Sequence, residues 1–122
     1  GSKIDNICTD IQKGLENSID LSGQTSLREA MSIIANARHV IGSDTGLVHA
    51  AEALGKNVSM ILGPTSTETG AGVSLDKSIN IEKDLWCRPC SQNGSVPCYR
   101  KMQYCMESIT PQNVLDSLQL KL

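Results

Sequence analysis

One stretch decides the fold of this chain: HVIGSDTGLVHAAEALG, residues 39–55. Residues 39–42 form a short apolar run of the kind found in buried strands. Asp44-Thr45-Gly46 then begins a helix that continues through Leu54, and Gly55 is the residue type that most often follows a helix. A second apolar run, 58–62, comes next and ends at Gly63-Pro64. Short apolar strands that alternate with helices predict an α/β fold, a parallel sheet with helices on both faces.

The flanking sequence predicts further elements. Apolar residues at helical spacing predict a helix over 4–16. Ser26 and Glu29 form a capping box at the start of a second helix. Thr110-Pro111 begins the last helix, with proline at the first helical position. Two more strands are predicted, over 18–21 and 78–81, and a loop over 65–76, which is rich in Thr, Ser and Gly.

Length and composition indicate one ordinary domain. The 122 residues suit a single core, and 39% apolar with 20% charged residues argues against disorder. A net charge of −2 and three aromatic residues argue against nonspecific nucleic-acid binding, which needs a basic groove and stacking platforms. No apolar run approaches the ~20 residues of a membrane span, and no signal peptide opens the chain. We therefore expect a cytoplasmic location and no nucleic-acid partner.

The composition changes near Trp86. Residues 1–86 carry seven basic and eleven acidic residues, whereas residues 87–122 carry four basic and two acidic residues and four of the five cysteines. We expect residues 1–86 to form the body of the domain. Residues 87–122 are expected to form a cysteine-rich segment and a C-terminal helix that pack on the same domain.

Ligands of parallel sheets bind beyond the C-terminal ends of the strands. That rule selects residues 22–26, 43–45 and 63–66. At Thr45 and Gly46, the N–H groups of a new helix can bind an anion. His49 faces the same way as Thr45 and can donate to a phosphate. Asp44 either caps the helix or accepts hydrogen bonds from sugar hydroxyls. A capped helix with a partly buried histidine explains the same spacing equally well.

Four motifs resemble those of the heptosyltransferases, glycosyltransferase family 9. Residues 20–29, DLSGQTSLRE, resemble the family's dLaGkTSLrE stretch, and residues 42–51, GSDTGLVHAA, resemble its gnDTGpmHlA signature. Gly63-Pro64-Thr65 resembles its GPT turn. The segment 87–111 resembles the C-x-PC…C…CM-x-xI-x-P ending of many members. The motifs agree in order and spacing along almost the whole chain.

The resemblance implies an enzyme that transfers a heptose from ADP-heptose to the lipopolysaccharide core. It also implies a GT-B fold, in which two Rossmann-like domains face each other across a cleft. This chain matches the C-terminal, donor-binding half, so residues 1–86 are expected to be a Rossmann-like nucleotide-sugar-binding body. By motif, Asp5 is the candidate for an acidic residue that holds the ribose, and Thr25 would lie near the adenine. The donor-binding residues expected from the resemblance are Thr25, Ser26, Asp44, Thr45, Gly46, His49, Gly63 and Thr65.

The general base and the acceptor site of the family lie in the N-terminal half, which has no counterpart here. We therefore expect no catalytic residue in this chain, and donor binding without transfer, because transfer needs a positioned base. No D-x-D metal motif occurs, so the helix N–H groups and His49 would offset the charge of the leaving diphosphate without a cofactor. Lipopolysaccharide core as acceptor implies a location at the inner face of the bacterial inner membrane.

Residues 1–2 have two interpretations: a vector scar, or the G-S turn that ends the first strand and precedes this helix in the family. On either interpretation, the first strand of the fold is expected to be missing. The loss of a central strand exposes the edge of its neighbour. We therefore predict a homo-oligomer that covers this edge, or a marginally stable domain.

Four cysteines follow the pattern Cys87-x2-Cys90-x7-Cys98-x6-Cys105. Four thiolates can form a closed tetrahedral zinc site, although the second pair is spaced more widely than usual. Two disulfides or free thiols in a small core are the alternatives, and an intracellular location disfavours disulfides. The basic residues of the segment are expected on the solvated surface; they are Arg88, Arg100 and Lys101.

Two other functions fit the same sequence. The chain could be a free-standing nucleotide-sugar binding module without transferase activity. It could also be a cysteine-rich, metal-stabilised interaction module on an inert α/β body.

Overall fold

A computed structural model describes residues 3–119, with side chains for residues 6–118. The side chain of Asp5 and residues 1–2 lie outside these ranges. The described elements are α1 (Lys3–Lys13), α2 (Leu27–Asn36), β1 (His39–Ser43), α3 (Gly46–Ala53), β2 (Asn57–Ile61), a 3₁₀ turn (Thr67–Thr69), β3 (Ser78–Ile81), α4 (Tyr104–Glu107) and α5 (Pro111–Gln119).

The three strands form a parallel sheet in the order β1-β2-β3. In the register, Ser43 at the end of β1 lies opposite Ile61 at the end of β2. Both strands therefore deliver the chain to the same edge of the sheet, which is where the polar turns 43–45 and 63–66 follow. Within the described residues, β1 has a neighbouring strand on one side only. The homo-oligomer predicted from an exposed edge stays a prediction.

Helices cover both faces of the sheet. Val58 and Met60 are fully buried on one face of β2, in one core cluster with Val48 and Ala51 of α3. Ser59 points to the other face, because successive strand residues alternate, and its Oγ lies 2.9 Å from Ser117 Oγ of α5. The predicted α/β fold with helices on both faces is therefore confirmed.

The chain divides into two compact units, Gly1–Ile33 and Ile34–Leu122. The second unit holds the sheet, the cysteine-rich segment and α5. The division predicted near residue 86 stays a prediction. Of the helices described in residues 3–119, none combines the length and the apolar character needed to cross a membrane.

In the first unit, the capping box is confirmed. Ser26 N–H donates to Glu29 Oε2 at 2.7 Å, and Glu29 N–H donates to Ser26 Oγ at 3.3 Å. The predicted strand over 18–21 is wrong. Ile19 is 80% exposed, and Asp20 turns the chain by accepting from the backbone N–H and the hydroxyl of Ser22 at 2.9 and 2.6 Å. An alternating pattern of apolar residues makes a strand only where a neighbouring strand can pair with it.

The other helices, strands and the loop predicted for the second unit are present, with two additions. Residues 65–76 are a loop apart from the 3₁₀ turn, and Thr110 caps α5 through a hydrogen bond from Asn113 N–H at 3.3 Å. Helix α4 was not predicted from the sequence. This short helix packs Met106 against Gly63, where an added Cβ would lie 2.6 Å from the methionine Sδ.

Candidate functional site

The turn between β1 and α3 presents an uncapped helix start. Thr45 is the N-cap residue, with extended backbone (φ −138°, ψ 156°) and no capping bond from its side chain. The interpretation of Asp44 as the cap is therefore wrong. An added Cβ at Gly46 would have no atom within 4 Å, so the space beside the first N–H groups is open. A helix start of this kind can receive an anionic group.

Asp44 joins two other polar side chains. Its Oδ1 lies 2.7 Å from His49 Nε2, and its Oδ2 accepts from Thr65 Oγ1 at 3.4 Å. The Asp44 side chain is 29% exposed and the His49 side chain 41% exposed. We call Asp44, Thr45, Gly46, His49 and Thr65 the Asp44 cluster. Three of these side chains, from two strand ends and one helix, are brought together as the sheet-edge rule predicts.

The Gly63-Pro64-Thr65 turn is buried at its ends and held in place by the cysteine-rich segment. Thr65 is 4% exposed and Ser66 is 8% exposed. Gly63 faces Met106 of α4, whose side chain would have to move to admit a Cβ at this position. Gly63 thus lies against the cysteine-rich segment, whereas the side chain of Thr65 contacts Asp44.

Arg88 holds this turn, a role that sequence reasoning missed. Its side chain is only 7% exposed, so its predicted place on the solvated surface is wrong. Its guanidinium donates to the carbonyls of Gly63 at 2.6 Å and Thr65 at 2.9 Å. Glu82 balances the charge, with Oε2 2.7 Å from Nη2. In the sequence, Arg88 is only a lone arginine between Cys87 and Pro89, and its distance along the chain from other residues does not indicate which groups it binds.

Thr25 and Ser26 belong to the first unit. Thr25 is half-buried just before α2, and Ser26 is occupied by the capping box with Glu29. The predicted position of Thr25 near the adenine and the predicted role of Ser26 in donor binding stay predictions.

The four cysteines of the segment 87–105 line one small cavity, together with Pro64 and Tyr104. They are described as free thiols. Burial raises the pKa of the Cys105 thiol, and the nearby Cys90 raises it further. Within residues 3–119, no three side chains of His, Cys, Asp or Glu are arranged to hold a metal ion. The zinc site stays a prediction from the sequence.

The other two basic residues of the segment differ from Arg88. The Arg100 guanidinium lies over the ring of Tyr104 at 4.3 Å and that of Trp86 at 5.2 Å. Its Nη1 is also 3.4 Å from Cys87 Sγ. Lys101 is exposed, as predicted. Arg100 thus contacts the aromatic rings of Trp86 and Tyr104, whereas Arg88 binds backbone carbonyls of the 63–65 turn.

Comparisons with known proteins identify a family model and several relatives that match this chain. The model of glycosyltransferase family 9 (heptosyltransferase) matches residues 2–99. The chain is similar to lipooligosaccharide heptosyltransferase 2 of Haemophilus ducreyi, with 43% identity over 74 residues, 54% of this chain and 21% of that protein. It is also similar to lipopolysaccharide heptosyltransferase 2 of Salmonella typhimurium, with 35% identity over 99 residues, 81% of this chain and 27% of that protein. Lipopolysaccharide heptosyltransferase 2 of Escherichia coli is 28% identical over 99 residues, 81% of this chain and 27% of that protein.

The chain spans between 21% and 27% of the length of these curated relatives. No solved structure gives a significant match.

Proposed function

Because the chain belongs to glycosyltransferase family 9, the heptosyltransferases, we propose that the Asp44 cluster binds the nucleotide-sugar donor, ADP-heptose. The observation that carries the proposal is the shared carboxylate of Asp44. It contacts His49 on one side and Thr65 on the other, beside a helix start that no side chain caps. A purely structural aspartate at this turn would be expected to cap the helix itself.

Each group of the cluster has a separate part in this proposal. The first N–H groups of α3 donate to the diphosphate, and Gly46 leaves room for it to approach the backbone. Asp44 accepts from His49 Nε2, so a protonated imidazole still has Nδ1–H to donate to a phosphate oxygen. The contact from Thr65 to Asp44 Oδ2 is long at 3.4 Å. That oxygen can therefore accept a second hydrogen bond from a sugar hydroxyl.

The balance of charge supports a diphosphate without a metal. Asp44 by itself would repel an anionic ligand, but His49 Nε2 lies 2.7 Å from one of its carboxylate oxygens, and an imidazole that carries protons on both nitrogens would offset that charge. The helix start adds a partial positive charge of about half an elementary charge. We propose that these groups, and no cofactor, stabilise the diphosphate as it leaves during transfer.

The chain corresponds to a donor-binding half of a GT-B enzyme in this proposal. Transfer to lipopolysaccharide core, the general base and the acceptor site are assigned to parts of the longer relatives that this chain does not span. We propose that the chain binds donor without catalysing transfer, and that the whole enzyme works in the cytoplasm at the inner membrane.

Calorimetric titration of ADP, UDP and GDP into the chain tests the proposal. ADP should bind more tightly than UDP and GDP. His49→Gln should weaken ADP binding about tenfold or more, since a hydrogen bond to a charged group contributes about 1.5–3 kcal/mol. Asp44→Asn should also weaken it, because the carboxylate that orients the imidazole through His49 Nε2 is lost. The matched controls are Asp116→Asn in α5 and His39→Gln at the opposite end of β1, which should leave ADP affinity unchanged. Equal affinity for all three nucleotides, or no effect of either cluster variant, would contradict the donor site.

A second proposal concerns the cysteines. We propose that Cys87, Cys90, Cys98 and Cys105 hold a structural zinc ion, and the support is the one cavity that all four line. If the chain were instead a metal-stabilised interaction module, removal of the metal would unfold the segment and the Asp44 variants would change no binding.

A further inference from the structure

The buried guanidinium of Arg88 unites the cysteine-rich segment with the Asp44 cluster. Arg88 is 7% exposed at its side chain, which is unusual because arginine is rarely buried unless it is paired. Its donors are used on four acceptors: the carbonyls of Gly63, Thr65 and Lys83, and the carboxylate of Glu82. A guanidinium presents its donors in a rigid planar fork, so these acceptors are held in one fixed arrangement.

The cysteine-rich segment holds three successive carbonyls of the turn after β2. Arg88 binds the first and the third, those of Gly63 and Thr65. The backbone N–H of Cys90 donates to the second, that of Pro64, at 3.2 Å. The sheet itself reaches only to Leu62, whose N–H donates to Ile81 O at 3.0 Å. Beyond that residue, the path of the turn depends on the segment around Arg88 and Cys90.

Thr65 connects this turn to the other side chains of the Asp44 cluster. Its carbonyl accepts from Arg88, and its hydroxyl donates to Asp44 Oδ2. The other oxygen of the same carboxylate contacts His49. A continuous series of hydrogen bonds therefore runs from Arg88 through Thr65 and Asp44 to the imidazole.

We propose that Arg88 is a positioning residue of the donor site: it fixes the Gly63–Thr65 turn so that Thr65 orients the Asp44 carboxylate toward the ligand. This inference rests on the proposed function of the cluster. Arg88 acts through geometry, because Glu82 at 2.7 Å balances its charge. A lysine cannot reproduce the arrangement, since an ammonium group lacks the planar fork that reaches two carbonyls of the turn at once.

The test uses ADP alone as the probe, with calorimetric titration of the chain. Arg88→Gln should weaken ADP binding about tenfold, and Arg88→Lys should weaken it less. Thr65→Val should weaken it about fivefold. The double variant should bind no more weakly than Arg88→Gln, because residues in one network have non-additive effects. Arg100→Gln is the matched control, an arginine of the same segment that contacts aromatic rings, and it should bind like the unmodified chain.

A ligand-free readout keeps the inference separate from the proposed function. The imidazole NMR signals of His49, identified by their loss in His49→Gln, should shift in Arg88→Gln and Thr65→Val but not in Arg100→Gln. If the unmodified chain binds no ADP, the proposed function fails, and these shifts still decide whether Arg88 organises the cluster. Arg88 has no positioning role if the His49 signals are unchanged in both Arg88 variants. The same conclusion follows if the two losses of affinity multiply in the double variant. Circular dichroism of Arg88→Lys and Thr65→Val checks that the variants are folded.

Discussion

Gly42 and Gly46 flank Asp44, and the structure predicts opposite consequences when each is replaced by alanine. A Cβ at Gly42 would lie 2.5 Å from Cγ2 of Val48, whereas a Cβ at Gly46 would meet nothing within 4 Å. Val48 cannot yield, because it is 5% exposed in the core and its branched side chain has few rotamers. The clash must therefore be relieved by moving α3 away from β1.

The size of the destabilisation follows from the overlap between the added methyl group and Val48. Ordinary carbon contacts lie at about 3.5–4.0 Å, so the added methyl group overlaps Val48 by about 1 Å. Overpacking of a well-packed core costs about 1–3 kcal/mol, which we expect for the loss in free energy of unfolding of Gly42→Ala. Gly46→Ala should change stability by less than about 1 kcal/mol, and in the favourable direction, because alanine restricts the unfolded chain. That variant should nevertheless weaken ADP binding, since the methyl group occupies the space beside the helix start.

Urea denaturation followed by circular dichroism measures the free energies of unfolding of Gly42→Ala and Gly46→Ala. Calorimetric titration measures the ADP affinity of Gly46→Ala. In the double variant Gly42→Ala, Val48→Ala, the methyl group that clashes is absent, so the two losses should not add; the interaction should be about 0.5–3 kcal/mol. A Gly42→Ala chain that unfolds at the same urea concentration as the unmodified chain would refute the packing argument. An unchanged ADP affinity in Gly46→Ala would refute ligand approach at the helix start.

Three further predictions concern the core, one carboxylate and the cysteines. Met60 is fully buried, so Met60→Ala should lower the free energy of unfolding by about 2–5 kcal/mol; a loss below 1 kcal/mol in urea denaturation would contradict this packing. Burial raises the pKa of Glu52, but hydrogen bonds, the largest from Leu75 N–H, outweigh burial and lower it overall. Its stabilisation is therefore complete above the pKa of the unfolded carboxyl group and is lost as pH falls through the folded pKa. Glu52→Gln should reduce the loss of unfolding free energy at acid pH, measured by urea denaturation at a series of pH values. An unchanged loss would argue against this role of Glu52. Elemental analysis of protein purified without chelator should find about one zinc per chain and none in Cys87→Ser, Cys105→Ser; a zinc-free, folded chain would exclude the metal site.

Where an element depends on its neighbours in sequence, the sequence alone predicted it. The β1 strand, the turn at Asp44 and helix α3 need only a short apolar run, a flexible turn and a helical pattern that ends before Gly55. The capping box at Ser26 and Glu29 is likewise local, because its hydrogen bonds join residues three apart. The order of such elements was enough to predict a parallel sheet and to place residues 43–45 and 63–66 at one edge of it.

The predictions that failed depend on what lies next to a residue in space. Residues 18–21 have the alternation of a strand, but Ile19 is left exposed without a partner strand. Asp44 has the residue type of a helix cap, but the carboxylate is engaged by His49 and by Thr65, which is 21 residues away along the chain.

The sequence by itself determined the class of the fold, the position of the strand-to-helix turn and the family to which the chain belongs, because each is expressed in local patterns and their order. Tertiary structure alone decided which charges are buried and what they hold. Arg88 and the Gly63 carbonyl are 25 residues apart in the chain and 2.6 Å apart in space. Hydrogen bonds of this kind form only after the sheet and the cysteine-rich segment have packed together, and no spacing in the sequence encodes them.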